Sequence, residues 1–265
     1  MGSNKPIGIF DSGIGGLTVL KEVQKLLPEE NFIYLGDTAR VPYGTKSGET
    51  VLQYSIQNIL FLLDHDVKAV VVACNTASAY GLNSLQKNFS VPVLGVIKPG
   101  ALAAVAKAGV GPIGVIGTEG TIRSQSYAKA IAELNPKIKV VAQACPLLVA
   151  LAEEGMVKGE IPRLVLKKYL ESLTGIRALI LGCTHYPLFA EEIGKCLPGV
   201  TLVDSAVETA VALGKILEEK GLRQTIGCGK TSFFSTDAPE RMQRLAPLFL
   251  DGDISPVDKA KVTTY

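Results

Sequence analysis

Short apolar runs rich in β-branched residues alternate along this 265-residue chain with longer segments of amphipathic, helical periodicity. This alternation predicts βαβ units and a mostly parallel sheet, because parallel neighbours need a crossover connection. The runs are continuously apolar, which is typical of strands that helices cover on both faces. The predicted strands are 6–10, 32–35, 69–73, 91–96, 112–116, 139–143, 178–181, 201–203 and 232–235, and the clearest helices are 17–27, 49–63, 101–108, 164–173 and 207–220.

The sequence also contains a long internal repeat. The segment IGIFDS at 7–12 resembles IGVIGT at 113–118, and AVVVAC at 69–74 resembles ALILGC at 178–183. A third, looser match joins 91–96 to 200–205. Three matches in the same order and at nearly the same offset indicate two copies of one α/β unit, with a period too long for a solenoid.

The repeat predicts two pseudo-symmetric domains, each a mostly parallel sheet flanked by helices. We expect residues 1–97 and 207–265 to form the first domain and residues 98–206 to form the second. No Gly/Ser-rich linker separates the halves, so they are expected to pack closely. In such folds the ligand binds beyond the carboxyl ends of the strands, which places the expected active site in the interdomain cleft.

Composition argues against several classes of protein. A net charge of +2 without a basic stripe is not typical of a protein that binds nucleic acid. No apolar run is long enough to span a bilayer, and the N-terminus lacks the pattern of a secretory leader. Five cysteines without disulfide-framework spacing predict reduced thiols in the cytoplasm. Two histidines and no C-x-x-C pair leave a metal site without support.

Two cysteines, Cys74 and Cys183, close equivalent apolar runs in the two repeats. Each is expected at or near the start of the next helix, where free N–H groups and the helix dipole lower a thiol pKa from about 8.5. A cysteine is usually a small buried hydrophobe, and Cys145 and Cys196 fit that description better. A matched pair instead favours a reaction that needs one thiol on each side of a substrate.

Polar residues near these thiols are further candidates. Asp11 ends the first strand, before a glycine-rich loop, and is either a cap or a charged group beside Cys74. His185, two residues after Cys183, is either a structural or surface histidine or a group that shares the proton of this thiol. The hydroxyls of Thr76 and Thr184, with the helix N–H groups, are suited to hold a substrate carboxylate.

Two loops on the same edge of the sheets have both an ordinary and a functional interpretation. The segment VPYGTK at 41–46 is either a surface turn or a cover for the ligand. Thr118, in the corresponding place of the second repeat, is either an N-cap or a hydroxyl donor.

Other functions remain open at this point. The glycines of the first loop, with Asp37 after the second strand, resemble a dinucleotide fingerprint, although Thr18 stands where its third glycine belongs. A nucleotide- or metabolite-binding protein is therefore one alternative. A dicarboxylate-binding protein without turnover is another.

Four motifs together, DSGIGG at 11–16, PYG at 42–44, ACNTAS at 73–78 and LGCTHYP at 181–187, resemble the glutamate racemases. The resemblance covers essentially the whole chain. It implies a bacterial enzyme that makes D-glutamate for peptidoglycan by a two-base reaction without cofactor or metal. One cysteine, as thiolate, would remove the α-proton, and the other, as thiol, would protonate the opposite face. Cys74 would act on D-glutamate and Cys183 on L-glutamate.

The resemblance also assigns supporting residues. Asp11 would assist Cys74, while His185 and Glu153 would assist Cys183. Glu153 and the adjacent Glu154 look like an exposed pair, so the choice between them stays open. The family implies a cytoplasmic homodimer with a small-molecule substrate and neither nucleic-acid nor membrane partners, and aspartate is the related alternative substrate. The substrate would be held by Asp11, Ser12, Tyr43, Gly44, Asn75, Thr76, Thr118, Thr184 and His185.

Overall fold

Two parallel β-sheets, each packed between helices, form the computed structural model, which describes residues 3–262. The strands in chain order are β1 (Ile7–Asp11), β2 (Phe32–Gly36), β3 (Ala69–Val72), β4 (Val93–Gly95), β5 (Ile113–Gly117), β6 (Val140–Ala144), β7 (Ala178–Gly182), β8 (Thr201–Asp204), β9 (Thr231–Ser235) and β10 (Val257–Lys259).

The two sheets share one topology. The first has the strand order β10-β9-β2-β1-β3-β4, and the second has the order β6-β5-β7-β8. The four strands β2-β1-β3-β4 therefore match β6-β5-β7-β8 in order and direction. This confirms the predicted α/β architecture of two pseudo-symmetric units.

Helices cover both faces of each sheet, which explains the continuously apolar strands. In β1, Ile9 packs towards Leu17 and Leu20 on one face, while Phe10 packs towards Leu62 on the other. No helix within residues 3–262 is long and apolar enough to cross a membrane. The helices are α1 (Leu17–Leu26), α2 (Gly48–Asp64), α3 (Asn75–Asn88), α4 (Ile97–Ala108), α5 (Glu119–Ser124), α6 (Ser126–Leu134), α7 (Leu147–Glu153), α8 (Glu160–Leu170), α9 (Ala190–Cys196), α10 (Ser205–Glu219) and α11 (Pro239–Leu245).

The structure differs from the sequence-based boundaries in a few places. Helix α4 begins at Ile97 rather than at residue 101, because Pro99 lies in the first turn, where proline is tolerated. Helix α8 begins at Glu160 rather than at residue 164, just after Gly159, whose φ is positive. Strand β10 was not predicted from the sequence, because it lacks an apolar run. Two of its three residues are exposed.

The sheets divide the chain unevenly. Strands from residues 7–95 and 231–259 form the first sheet, and strands from residues 113–204 form the second. Helix α10 shares the apolar cluster of α1 in the first unit, through residues such as Ala210 and Leu213. We propose on this basis that the domains are 1–97 with 207–265, and 98–206.

Candidate active site

Cys74 and Cys183 line the same cavity between the two sheets. Cys74 follows β3 and is the N-cap residue of α3, whereas Cys183 directly follows β7. Both side chains are buried. The cavity is also lined by Ser12, Val41, Pro42, Tyr43, Gly44, Asn75, Thr76, Thr118, Val149, Thr184 and His185.

Burial dominates the electrostatics of both thiols. It raises the pKa of Cys74 to about 11, and the charge of Asp11 acts in the same direction, while the backbone N–H of Ala77 opposes the shift. Burial likewise raises the pKa of Cys183 well above its ordinary value. The expectation of lowered thiol pKa values is therefore wrong for this structure. The helix-start effect at Cys74 is smaller than the loss of hydration, and Cys183 leads into a short 3₁₀ turn, Tyr186–Phe189, rather than a long helix.

Asp11 lies directly behind the cavity, at the end of β1. Its carboxylate accepts hydrogen bonds from the Gly13 N–H at 3.0 Å and from the Thr184 hydroxyl at 3.5 Å. Burial raises the pKa of Asp11, and the nearby His185 partly offsets this. The adjacent Ser12 hydroxyl lies 3.6 Å from the Cys74 sulfur. Asp11 thus acts as a loop cap and also contributes charge to the site.

A chain of side chains runs outwards from Cys183. Its sulfur lies 3.8 Å from His185 Nδ1, and His185 Nε2 lies 3.3 Å from Glu153 Oε1. The other oxygen of Glu153 accepts a hydrogen bond from Arg241 at 3.0 Å. The hydrogen bond with His185 lowers the pKa of Glu153, and Arg241 acts in the same direction. Glu154 is exposed, whereas Glu153 is half-buried. The interpretation of two exposed carboxylates is therefore right for Glu154 and wrong for Glu153.

The loop at 41–46 is anchored by a buried polar network beneath it. The Tyr43 hydroxyl donates to Asp37 and accepts a hydrogen bond from Asn58 at 3.1 Å. Asp37 is fully buried and also accepts hydrogen bonds from Arg40 at 2.7 Å and Thr236 at 3.0 Å. Asp37 therefore anchors a loop, and it is not free for the ribose contact that the dinucleotide alternative requires.

Three threonine hydroxyls meet where the two units touch. Thr76 Oγ1 lies 2.8 Å from Thr118 Oγ1 and 3.2 Å from Thr121 Oγ1. Gly44 lies against Thr118, and a Cβ atom on it would come within 2.7 Å of the Thr118 Cβ. The loop at 41–46 is therefore in direct contact with Thr118 across the cleft, and Thr118 is also the N-cap of α5.

Sequence reasoning did not single out several residues that complete this site. Arg241 contacts Glu153, and Tyr127 donates a hydrogen bond to Asn75 across 52 positions. No local pattern marks either residue, because each partner is distant in the sequence. Val149 lines the cavity from α7, but its apolar side chain carries no chemical signal.

Comparisons with known proteins identify the family to which this chain belongs. Residues 15–213 match the Asp/Glu/hydantoin racemase family. A glutamate racemase from Geobacter metallireducens is 53% identical over 257 residues, which is 96% of this chain and 95% of that protein. A crystal structure of a glutamate racemase isoform from Bacillus anthracis has a TM-score of 0.95 at 43% identity, covering 98% of each chain. A Francisella tularensis glutamate racemase, solved with D-glutamate, has a TM-score of 0.93 at 40% identity over 99% of each chain. The chain therefore belongs to the Asp/Glu/hydantoin racemase family, and within it to the glutamate racemases.

Proposed function

We propose that this protein interconverts L- and D-glutamate without a cofactor, using Cys74 and Cys183 as its two acid–base groups. The observation that carries the proposal is the position of the two thiols, one from each unit, on a single buried cavity. The relatives support glutamate as the substrate, since they are named for it and one was solved with D-glutamate. We further propose that the product D-glutamate supplies peptidoglycan synthesis, and that the enzyme is a cytoplasmic homodimer.

The reaction removes a proton from one face of the α-carbon and delivers a different proton to the opposite face of the resulting carbanion. With L-glutamate, the Cys183 thiolate removes the α-proton and the Cys74 thiol protonates the opposite face. The reverse direction exchanges the two roles. An α-proton is a much weaker acid than a thiol, so a raised thiol pKa brings the donor and acceptor closer in proton affinity. Burial that leaves little thiolate in the free enzyme thus makes each thiolate a stronger base.

The neighbours of each thiol have matching roles in this proposal. Asp11 would exchange a proton with Cys74. Burial raises the pKa of Asp11, which brings its proton affinity closer to that of the thiol. His185 would do the same for Cys183, with Glu153 fixing the orientation of the imidazole. The substrate carboxylates would be held by hydroxyl, amide and N–H groups of the cavity wall. The residues proposed for this are Ser12, Tyr43, Gly44, Asn75, Thr76, Thr118, Thr184 and His185.

The test is α-proton exchange in deuterated water, measured by NMR with each enantiomer. Cys74→Ser and Cys183→Ser are each expected to lower racemisation by at least about a thousandfold, because each removes one acid–base group. Cys74→Ser keeps exchange on L-glutamate, and Cys183→Ser keeps exchange on D-glutamate. Racemisation that survived in both variants would contradict the two-thiol mechanism.

A matched control and a substrate panel complete this experiment. Cys145 is a buried cysteine whose thiol pKa burial raises to about 12, but it does not line the cavity. Cys145→Ala is therefore expected to keep racemisation. Aspartate in place of glutamate tests the related alternative, and faster turnover of aspartate would overturn the proposed substrate.

A further inference from the structure

Tyr127 is a buried tyrosine of the second unit that reaches into the first. It lies in α6 and is only 2% exposed. Its hydroxyl donates a hydrogen bond of 2.7 Å to Oδ1 of Asn75, the first residue of α3. Asn75 directly follows Cys74 in the chain, so this contact connects α6 to the immediate neighbour of one thiol.

The ring of Tyr127 packs against the neighbour of the other thiol. A Cβ atom on Gly182, which directly precedes Cys183, would lie 3.1 Å from the ring carbon Cε2. Gly100 in α4 is similarly close, since a Cβ there would lie 3.4 Å from the hydroxyl oxygen. The ring therefore fits a space that two glycines leave open. Tyr127 touches the residue before Cys183 and the residue after Cys74 at the same time.

The direction of the hydrogen bond fixes the amide of Asn75. Because Oδ1 accepts from Tyr127, the Nδ2 group of Asn75 is left to donate elsewhere. Asn75 lines the cavity between the thiols, where a donor suits a substrate carboxylate. Without the phenol hydroxyl, the amide is free to rotate and present its oxygen to that carboxylate instead.

We infer that Tyr127 is a positioning residue for substrate binding, which orients the Asn75 amide and connects the two halves of the site. The inference rests on the proposed function, because it assigns Asn75 to a glutamate carboxylate. Burial raises the pKa of Tyr127, so the phenol stays protonated and remains a donor throughout the neutral range. The inference adds a residue from a third segment of the chain, outside the four motifs, to the binding machinery.

The experiment is a double-mutant cycle on Tyr127→Phe and Asn75→Ala. Tyr127→Phe removes one hydroxyl and keeps the ring, so we expect KM for D-glutamate to rise about fivefold to tenfold while kcat changes less than about threefold. Asn75→Ala raises KM at least as much. In the Asn75→Ala background, Tyr127→Phe is expected to raise KM no further, because Ser205, the other polar neighbour of the phenol, does not line the cavity.

A second tyrosine separates this role from a loss of stability. Tyr186 is fully buried, and its hydroxyl donates to the Cys145 carbonyl at 2.8 Å. Tyr186→Phe is expected to lower the melting temperature as much as Tyr127→Phe but to leave KM within about twofold. An unchanged KM in Tyr127→Phe, or additive effects in the cycle, would overturn the inference.

The proposed function and this inference fail in different ways. If the wild-type protein racemises glutamate and the cycle shows no coupling, only the role of Tyr127 is wrong. If the wild-type protein does not racemise glutamate, the proposed function is wrong. The same cycle measured as D-glutamate affinity by calorimetry then still tests whether Tyr127 orients Asn75 for a carboxylate.

Discussion

The two thiols illustrate how strongly burial controls the acidity of a single residue. A cysteine at a helix start is often activated by the N–H groups ahead of it. At Cys74 these groups are present, but the loss of hydration and the charge of Asp11 are larger. The thiol is therefore mostly protonated in the free protein. Binding of a positively charged amino group next to it is one way to favour the thiolate when substrate is present.

The raised pKa of Cys74 predicts a loss of stability at alkaline pH. The pKa is about 11 in the folded state against an ordinary 9.0, so the unfolded chain loses this proton first. Stability from this group is complete below pH 9 and is lost as pH rises towards 11. Between pH 8 and 10.5 the free energy of unfolding should fall by about 2 kcal/mol more in the wild type than in Cys74→Ser. Urea unfolding at both pH values checks this, and parallel losses would refute it.

Among the elements, the loop between β1 and α1 makes the tightest contact across the cleft. A Cβ atom on Gly15 would lie 2.3 Å from the Thr184 hydroxyl oxygen and 2.5 Å from the His185 ring. Thr18 strengthens this contact by donating a hydrogen bond to the Thr184 carbonyl at 3.0 Å. The glycine at this position is therefore required by the approach of the second unit rather than by the backbone conformation of the loop.

Gly15→Ala is expected to reduce kcat/KM for glutamate by about a hundredfold or more, because the added methyl displaces Thr184 and His185 from the cavity. Gly13→Ala is the matched control in the same loop. Its Cβ would meet nothing closer than Val41 at 3.5 Å, an ordinary contact. Steady-state kinetics on both variants check this expectation, and equal losses in the two would contradict it.

The elements also show what could be predicted from the sequence. The strands of the two repeats were predictable, because buried parallel strands are short, continuous apolar runs between helices. The Cys74 and Cys183 motifs were visible because each is local. The contacts of Arg241 with Glu153 and of Tyr127 with Asn75 were not, since they depend on the packing of distant segments. The direction of the thiol pKa shifts was mispredicted for the same reason, as burial is a property of the folded chain.

At the scale of the whole molecule, one buried ion pair joins four segments of the first unit. Lys68 Nζ lies 2.5 Å from Glu30 Oε2, and both side chains are inaccessible to water. Lys68 also donates to the carbonyls of Ser3 and Leu222, while Glu30 accepts from the Gln224 N–H. The pair thus links the segment that follows α10 to the amino-terminal ends of β2 and β3, at the opposite end of the strands from Cys74.

Removing only the lysine should be costly. Lys68→Met leaves Glu30 buried without its cation, which is expected to lower the free energy of unfolding by about 3–5 kcal/mol. The double variant Lys68→Met with Glu30→Gln should recover a large part of that loss, because no charge is left uncompensated. Chemical unfolding measures both effects. Activity at low temperature should stay near the wild-type value, and a loss of activity in the folded variant would argue against this purely structural role.

The shared topology of the two sheets has a thermodynamic counterpart. Mirror-image amino acids have equal free energies in water, so an enzyme that interconverts them works at an equilibrium constant of one. A catalyst for such a reaction gains nothing from a distinct substrate side and product side. Duplicated strands that are each followed by a cysteine provide two sides of matching topology, one from each unit. Under the proposed two-thiol mechanism, forward and reverse turnover are then the same event started from opposite halves of the molecule.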